Sequence, residues 1–347
     1  MLNIKTLKKL KAGDKVAILT LSWGAPALFP GVFELGLSRL RAVFQLEPVE
    51  LKTTRMLDAT VEEKTADLIA AFRNPDIKAV IASIGGDCQV EYVKNLPTEP
   101  FRENPKIFLG YSDNSNFCNF LWHLGIPSYY GGNIMTQFGM NIKMDELTVE
   151  FLRHVFFDTG EFALYPAVEF NEIGLDWAVE ENLYKSRAYL PNKEGWIWDG
   201  QTDAEGITWG GCLESIGDML LNQIEIPTLE QFGNIVLISE TCEEVPPHHA
   251  VRRIFRALGE RGILSRCRGF LIGRAKAGEF DKQYDQQVRD SYRKEQYEAT
   301  LTTIRKYNKH SPIVLNVDFG HTDPQIAIPY GQKARIAGSS QQIFLTY

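Results

Sequence analysis

Three residues of this chain pair a reactive side chain with a place just past an apolar run: Ser112 in KIFLGYSDNSNF, Glu240 in NIVLISE and His321 in PIVLNVDFGH. A serine hydroxyl becomes a nucleophile when a base takes its proton, and that base is usually a histidine oriented by a carboxylate. Together the three types are the makings of acyl transfer through a covalent intermediate. Of the Gly-x-Ser triplets, Gly36-Leu37-Ser38 lies in a helix-like pattern and Gly338-Ser339-Ser340 in a terminal hairpin pattern. Only Gly110-Tyr111-Ser112 follows a short apolar run and precedes a helix, the context of a nucleophile elbow. Asn114 stands where the common elbow has its second glycine, so helix capping by Ser112 or Asp113 stays open as a reading of the local sequence.

The other histidines fit less well. His123 and His154 sit in helical patterns, His248 and His249 open a helix after two prolines, and His310 lies in a polar turn, so all five read as packing or surface residues. Glu243 and Glu244, beside Glu240, read as solvated. A further apolar run, AVIASIGGDC, ends in Gly85 and Gly86, whose backbone N–H groups can approach an anion because no side chain intervenes. The pair could add an oxyanion donor to that of Asp113, or it could be only a tight turn; it lacks the spacing of a dinucleotide fingerprint. Trp196 and Trp198 are spaced to share one strand face, where they could pack a core or stack on a planar ligand.

These residues need a frame that lines up strand ends. From Lys15 to about Phe157, near-continuous apolar runs alternate with helix-like segments such as Val61–Arg73, which carries a stripe at Leu68, Ile69 and Phe72. That rhythm predicts parallel strands covered on both faces, an open doubly wound α/β sheet whose ligands gather at the strands' carboxyl ends. The character shifts near residue 160, which divides an N-terminal α/β domain (1–160) bearing the elbow from a C-terminal domain (161–347) bearing the acid and base. In the second part, strand-like runs mix with helices, including a long polar one expected from about Asp281 to Tyr307.

Composition narrows the partners. With 347 residues, 44% hydrophobic and a net charge of -7, the chain can build sizeable cores and has no basic stripe for phosphate backbones, so nucleic acid is not an expected partner. No run approaches the ~18 apolar residues of a membrane span, and the N-terminal segment lacks a signal peptide's apolar core. The five cysteines are dispersed, without a C-x-x-C pair. We expect a reduced, cytoplasmic protein without a cysteine metal site.

The segments SIGGD, GYSDNS, GGCLE, LISETCEE and FGHTDP, in that order across nearly the whole chain, resemble the LD-carboxypeptidase and microcin C immunity family of serine peptidases. The resemblance implies Ser112 as nucleophile, Glu240 as the acid and His321 as the base of a Ser-Glu-His triad, with an oxyanion hole from the backbone of Asp113 and Gly85-Gly86. It implies a Rossmann-like parallel-sheet domain followed by a β-rich, barrel-like domain with helices, a homodimer, and no metal or organic cofactor. SIGGDC stands where the murein branch typically reads RGGYG, and the chain is longer than is usual there. Both features favour the microcin immunity branch, whose members cleave the amide between a peptidyl or aminoacyl carboxyl group and a nucleotide-like moiety and stack the base on an aromatic residue. Trp196 or Trp198 is the expected platform. The alternatives are a murein tetrapeptide LD-carboxypeptidase of cell-wall recycling and a non-catalytic α/β protein whose Ser112 turn binds a carboxylate.

Overall fold

A computed structural model describes residues 4–279, 282 and 284–347. In chain order its strands are β1 (Lys15–Leu19), β2 (Glu47–Glu50), β3 (Ile77–Ala82), β4 (Ile107–Gly110), β5 (Ser128–Tyr130), β6 (Glu161–Ala163), β7 (Glu169–Phe170), β8 (Leu190–Pro191), β9 (Ile197–Asp199), β10 (Ala204–Cys212), β11 (Ile235–Glu240), β12 (Gly269–Gly273), β13 (Ile313–Val317), β14 (Ile328–Tyr330), β15 (Lys333–Ala337) and β16 (Gln342–Thr346). The first sheet has the order β14-β5-β4-β3-β1-β2, parallel except for β14. Its inner strands carry almost no polar residue because helices cover both faces: β4 is buried throughout and β3 at all positions but Lys78. The helix Val61–Arg73 starts at a capping box, Thr60 with Glu63, and turns Leu68 and Phe72 into the core while Ile69 is half-buried.

The second sheet runs β6-β16-β15-β10-β11-β12-β13-β9, with a parallel centre from β10 to β13 and antiparallel strands outside it. It is β-rich with helices, as expected, and β6 and β9 form its two edges. The long polar helix spans Gln286–Tyr307; the expected start at Asp281 lies outside the described residues.

Two features join the sheets. β14, late in the chain, adds to the first sheet beside β5, with Ile328 opposite Tyr130. Trp209 of β10, fully buried, donates from Nε1 to Asn119 Oδ1 at 3.0 Å on the helix behind the elbow. The carboxyl ends of β3, β4 and β5 thereby face those of β10, β11 and β13.

Candidate active site

The elbow begins where β4 stops. Gly110 is tightly packed, since a Cβ there would lie 3.0 Å from both Ala82 Cβ and Asn114 Cγ and would push them aside. Ser112 then takes φ 65°, a left-handed conformation that strains a non-glycine residue by on the order of 1–3 kcal/mol and persists only when its surroundings enforce it. Three bonds do so. The Ser112 N–H donates to Tyr130 Oη at 3.1 Å, Ser115 Oγ donates to the Ser112 carbonyl at 2.7 Å, and Asn114 Nδ2 donates to the Tyr111 carbonyl at 2.9 Å.

The capping alternative is not what this turn does. Neither the short helical turn Ser112–Asn114 nor the helix Ser115–His123 draws a side-chain cap bond. The Asp113 carboxylate instead accepts from Ser22 Oγ at 2.7 Å, the Gln89 N–H at 3.0 Å and Asn116 Nδ2 at 2.9 Å. Of the backbone N–H groups that open the turn, that of Ser112 donates to Tyr130 and that of Asn114 to the Tyr111 carbonyl at 3.3 Å. Gly85 abuts the same place: a Cβ on it would stand 2.8 Å from Ser112 Cβ and 3.1 Å from Oγ, while Gly86, at φ 149°, is pressed against Ser22. Both glycines are required by packing.

Glu240 ends β11 and is buried. Its Oε2 faces His321 Nδ1 at 2.6 Å, and its Oε1 accepts from the Tyr130 hydroxyl. Burial, reinforced by the Glu240 charge, holds the Tyr130 phenol well above its usual range, so it remains a donor. Tyr130 thus ties the Ser112 backbone and Glu240 to one ring. Gly320 and Gly273 make space for the acid, because a Cβ on either would strike the Glu240 side chain.

His321 packs edge-on against Tyr111, ring centres 4.9 Å apart. Its Nε2 faces Glu243 Oε2 at 3.2 Å. Burial works against the imidazolium, but the charges of Glu240 and Glu243 outweigh it and the net pKa is raised. Glu243 is therefore not the solvated neighbour the sequence suggests: it is half-buried, and His321, with Lys276, outweighs the burial to hold its carboxyl below the usual range. Among the described residues, Ser112 Oγ makes no hydrogen bond to the imidazole.

Ser112, Gly85, Gly86, Tyr111, Glu243, Lys276 and His321 all line one cavity of about 190 Å³. Its far wall includes Arg187, whose guanidinium pairs with Asp323 at 2.6 Å, and Glu172, held by Arg289 and Arg293 at 2.9 and 2.6 Å. Trp196 and Trp198 do not reach it. Trp196 is buried and donates from Nε1 to Asp318 Oδ2 at 2.8 Å, and Trp198 lies within β9, paired with Val314 of β13 and packed on the core. The spacing correctly put them near one strand, but their faces turn to the interior. The tryptophans that line the cavity are Trp23 and Trp177, each edge-on to Phe29 with ring centres 6.0 and 5.6 Å away.

Sequence reasoning missed Tyr130, although it too closes an apolar strand end in PSYYGG. It also missed the two cavity tryptophans, which stand in loops without periodic signal.

The chain matches two family models in series, the LD-carboxypeptidase N-terminal domain over residues 16–131 and the LD-carboxypeptidase C-terminal domain over residues 205–336. It is 26% identical over 342 residues to YocD of Bacillus subtilis (strain 168), which carries a carboxypeptidase name, covering 96% of each chain. It is 22% identical to the microcin C7 self-immunity protein MccF of Escherichia coli, covering 97% of this chain and 94% of MccF. The structure of MccF in complex with glutamyl sulfamoyl guanosine superposes with a TM-score of 0.84 at 19% identity, covering 98% of both chains, which establishes the two-part fold. The chain belongs to the LD-carboxypeptidase family and is a hydrolase of the serine peptidase type.

Proposed function

We propose that Ser112 is the nucleophile, His321 the general base and Glu240 its orienting acid, and that the enzyme hydrolyses an amide between an aminoacyl or peptidyl carboxyl group and a nucleotide-like moiety. The observation that carries this reading is the convergence of the strained Ser112 turn, the Glu240-bound His321 and the Gly85 backbone on one cavity. His321 Nε2 takes the Ser112 proton as Oγ attacks the carbonyl carbon, and Glu240 stabilises the imidazolium that forms. The oxyanion is met by the backbone N–H of Asp113 and of the Gly85-Gly86 turn, each such donor being worth about 3 kcal/mol in the transition state. The imidazolium then protonates the leaving nitrogen, and water admitted to the same base hydrolyses the acyl-enzyme.

Trp177 and Trp23 replace Trp196 and Trp198 as the proposed platform for a base, since they stand on the cavity wall. The glutamyl sulfamoyl guanosine bound by MccF supports that substrate class. The reading extends to a cytoplasmic homodimer, supported by five free cysteines and by the family resemblance. Among the described residues no helix is long and apolar enough to cross a membrane.

The test is a hydrolysis panel of aminoacyl sulfamoyl nucleosides against murein tetrapeptides. We expect roughly 100-fold higher kcat/KM for the nucleosides, about 2.7 kcal/mol of differential transition-state stabilisation, and loss of turnover in Ser112→Ala. The reverse preference would assign the enzyme to murein peptides.

A further inference from the structure

The fold brings together two cysteines that lie far apart in the chain. Cys212 ends β10 and precedes the helix Leu213–Leu221, Glu214 lies in that helix's first turn, and Cys242 follows β11 by two residues. β10 and β11 are adjacent parallel strands with Cys212 opposite Glu240. One ligand atom from each of Cys212, Glu214 and Cys242 lies within 4.8 Å of the other two.

A second observation marks the cluster as a place for a ligand. Cys212 Sγ donates to Glu214 Oε2 at 3.1 Å, but Glu214 Oε1 is shut off from solvent and has no hydrogen-bond partner among the described residues. A buried carboxylate oxygen without a donor is unusual in a folded protein and calls for an unmet partner, an ion or a water. Cys242 lines the Ser112 cavity, which gives an entry route.

We propose that Cys212, Cys242 and Glu214 form a binding site for a thiophilic divalent cation of the Zn²⁺ class in the wall of the active-site cavity. Two sulfurs and a carboxylate suit a borderline-soft ion with the fourth position left to water. Its Zn–S and Zn–O bonds of about 2.3 and 2.1 Å set tetrahedral donor spacings of roughly 3.6–3.8 Å, so the Cys212 Sγ–Glu214 Oε2 pair at 3.1 Å must open slightly and any pair near the 4.8 Å limit must close in. As each sulfur binds, its thiol proton leaves to the buffer. The cation stands beside Glu240 and draws its carboxylate from His321, so hydrolysis falls with Zn²⁺ and returns with a chelator. This last consequence rests on the proposed triad; the binding itself does not.

The experiment is a Co²⁺ titration of the reduced full chain under argon, followed by Zn²⁺. One equivalent should raise a thiolate-to-Co²⁺ charge-transfer band that Zn²⁺ abolishes, that Cys242→Ser lacks and that Glu214→Gln weakens. In the unmodified protein, one equivalent of Zn²⁺ should slow alkylation of Cys242 by iodoacetamide, a reading that no folding defect can mimic. No band at one equivalent, a band intact in the Cys212→Ser/Cys242→Ser double variant, or unslowed Cys242 alkylation would overturn the site. A band without inhibition would leave the site standing and count against the role given to Glu240.

Discussion

Glu243→Gln tests how the site sets the basicity of His321. In the structure Glu243 Oε2 is 3.2 Å from Nε2, the atom proposed to accept the Ser112 proton. Two unit charges at 3.2 Å interact by ~1.3 kcal/mol in a water-like dielectric, which is about one pKa unit. The Glu243 side chain is 41% exposed, but Oε2 itself is shut off from solvent against a buried His321, so the water-like figure is a floor. The sign follows from the charge. Glu243 helps hold the imidazolium above its ordinary pKa, so removing the carboxylate lowers that pKa and leaves the base neutral at lower pH. The acid limb of kcat/KM, which reports the free enzyme, should move down by about one pH unit or more. The assay is a pH profile of wild type and variant on one cleaved substrate, with EDTA present to keep the cysteine cluster free of metal. An acid limb that stays in place or moves up would refute the assignment of His321 as the titrating base or of Glu243 as its neighbour.

Three further outcomes are expected. Gly85→Ala should lower kcat/KM by about 10²-fold or more, because its methyl group would press on Ser112 and displace a proposed oxyanion donor; retained activity together with an unchanged CD spectrum would count against that backbone. Trp177→Ala should raise KM for nucleoside substrates by roughly 5- to 150-fold, the range of base stacking at about 1–3 kcal/mol, and leave a substrate without a base unaffected. Asp318→Ala should destabilise the fold by about 3–5 kcal/mol in urea unfolding, since it leaves the fully buried Arg274 guanidinium, now 2.7 Å from Asp318, without its counter-charge; a loss below ~1 kcal/mol would contradict that.

What could be read in the sequence were the strand ends. Buried parallel strands such as IFLG and IVLISE show as mostly apolar runs, so the reactive residues at or just past their ends, Ser112 and Glu240, stand out. His321 and the Gly85-Gly86 turn stood out for the same reason. Long-range closure was hidden. Nothing in PSYY announces that Tyr130 will bridge the Ser112 backbone and Glu240, and nothing in the short run around Ile328 says it will join the first sheet rather than the second. Trp196 and Trp198 were misread because two tryptophans two apart give a strand face without saying whether it turns to ligand or core; Asp318 settles it for Trp196 by accepting its N–H. Glu243 seemed solvated because an acid after a strand usually is, and only the fold brings His321 against it. The cysteines looked dispersed because adjacency of β10 and β11 cannot be read from the spacing of Cys212 and Cys242.

The central claim is that Ser112 forms a covalent bond with the acyl half of the substrate. Rapid acid quench during turnover of an aminoacyl sulfamoyl nucleoside, followed by intact mass and peptide mapping, tests it most directly. An added aminoacyl mass is expected on the peptide containing Ser112, absent in Ser112→Ala, which also fails to turn over. Undiminished turnover by Ser112→Ala, or an adduct mapped to another residue, would contradict it.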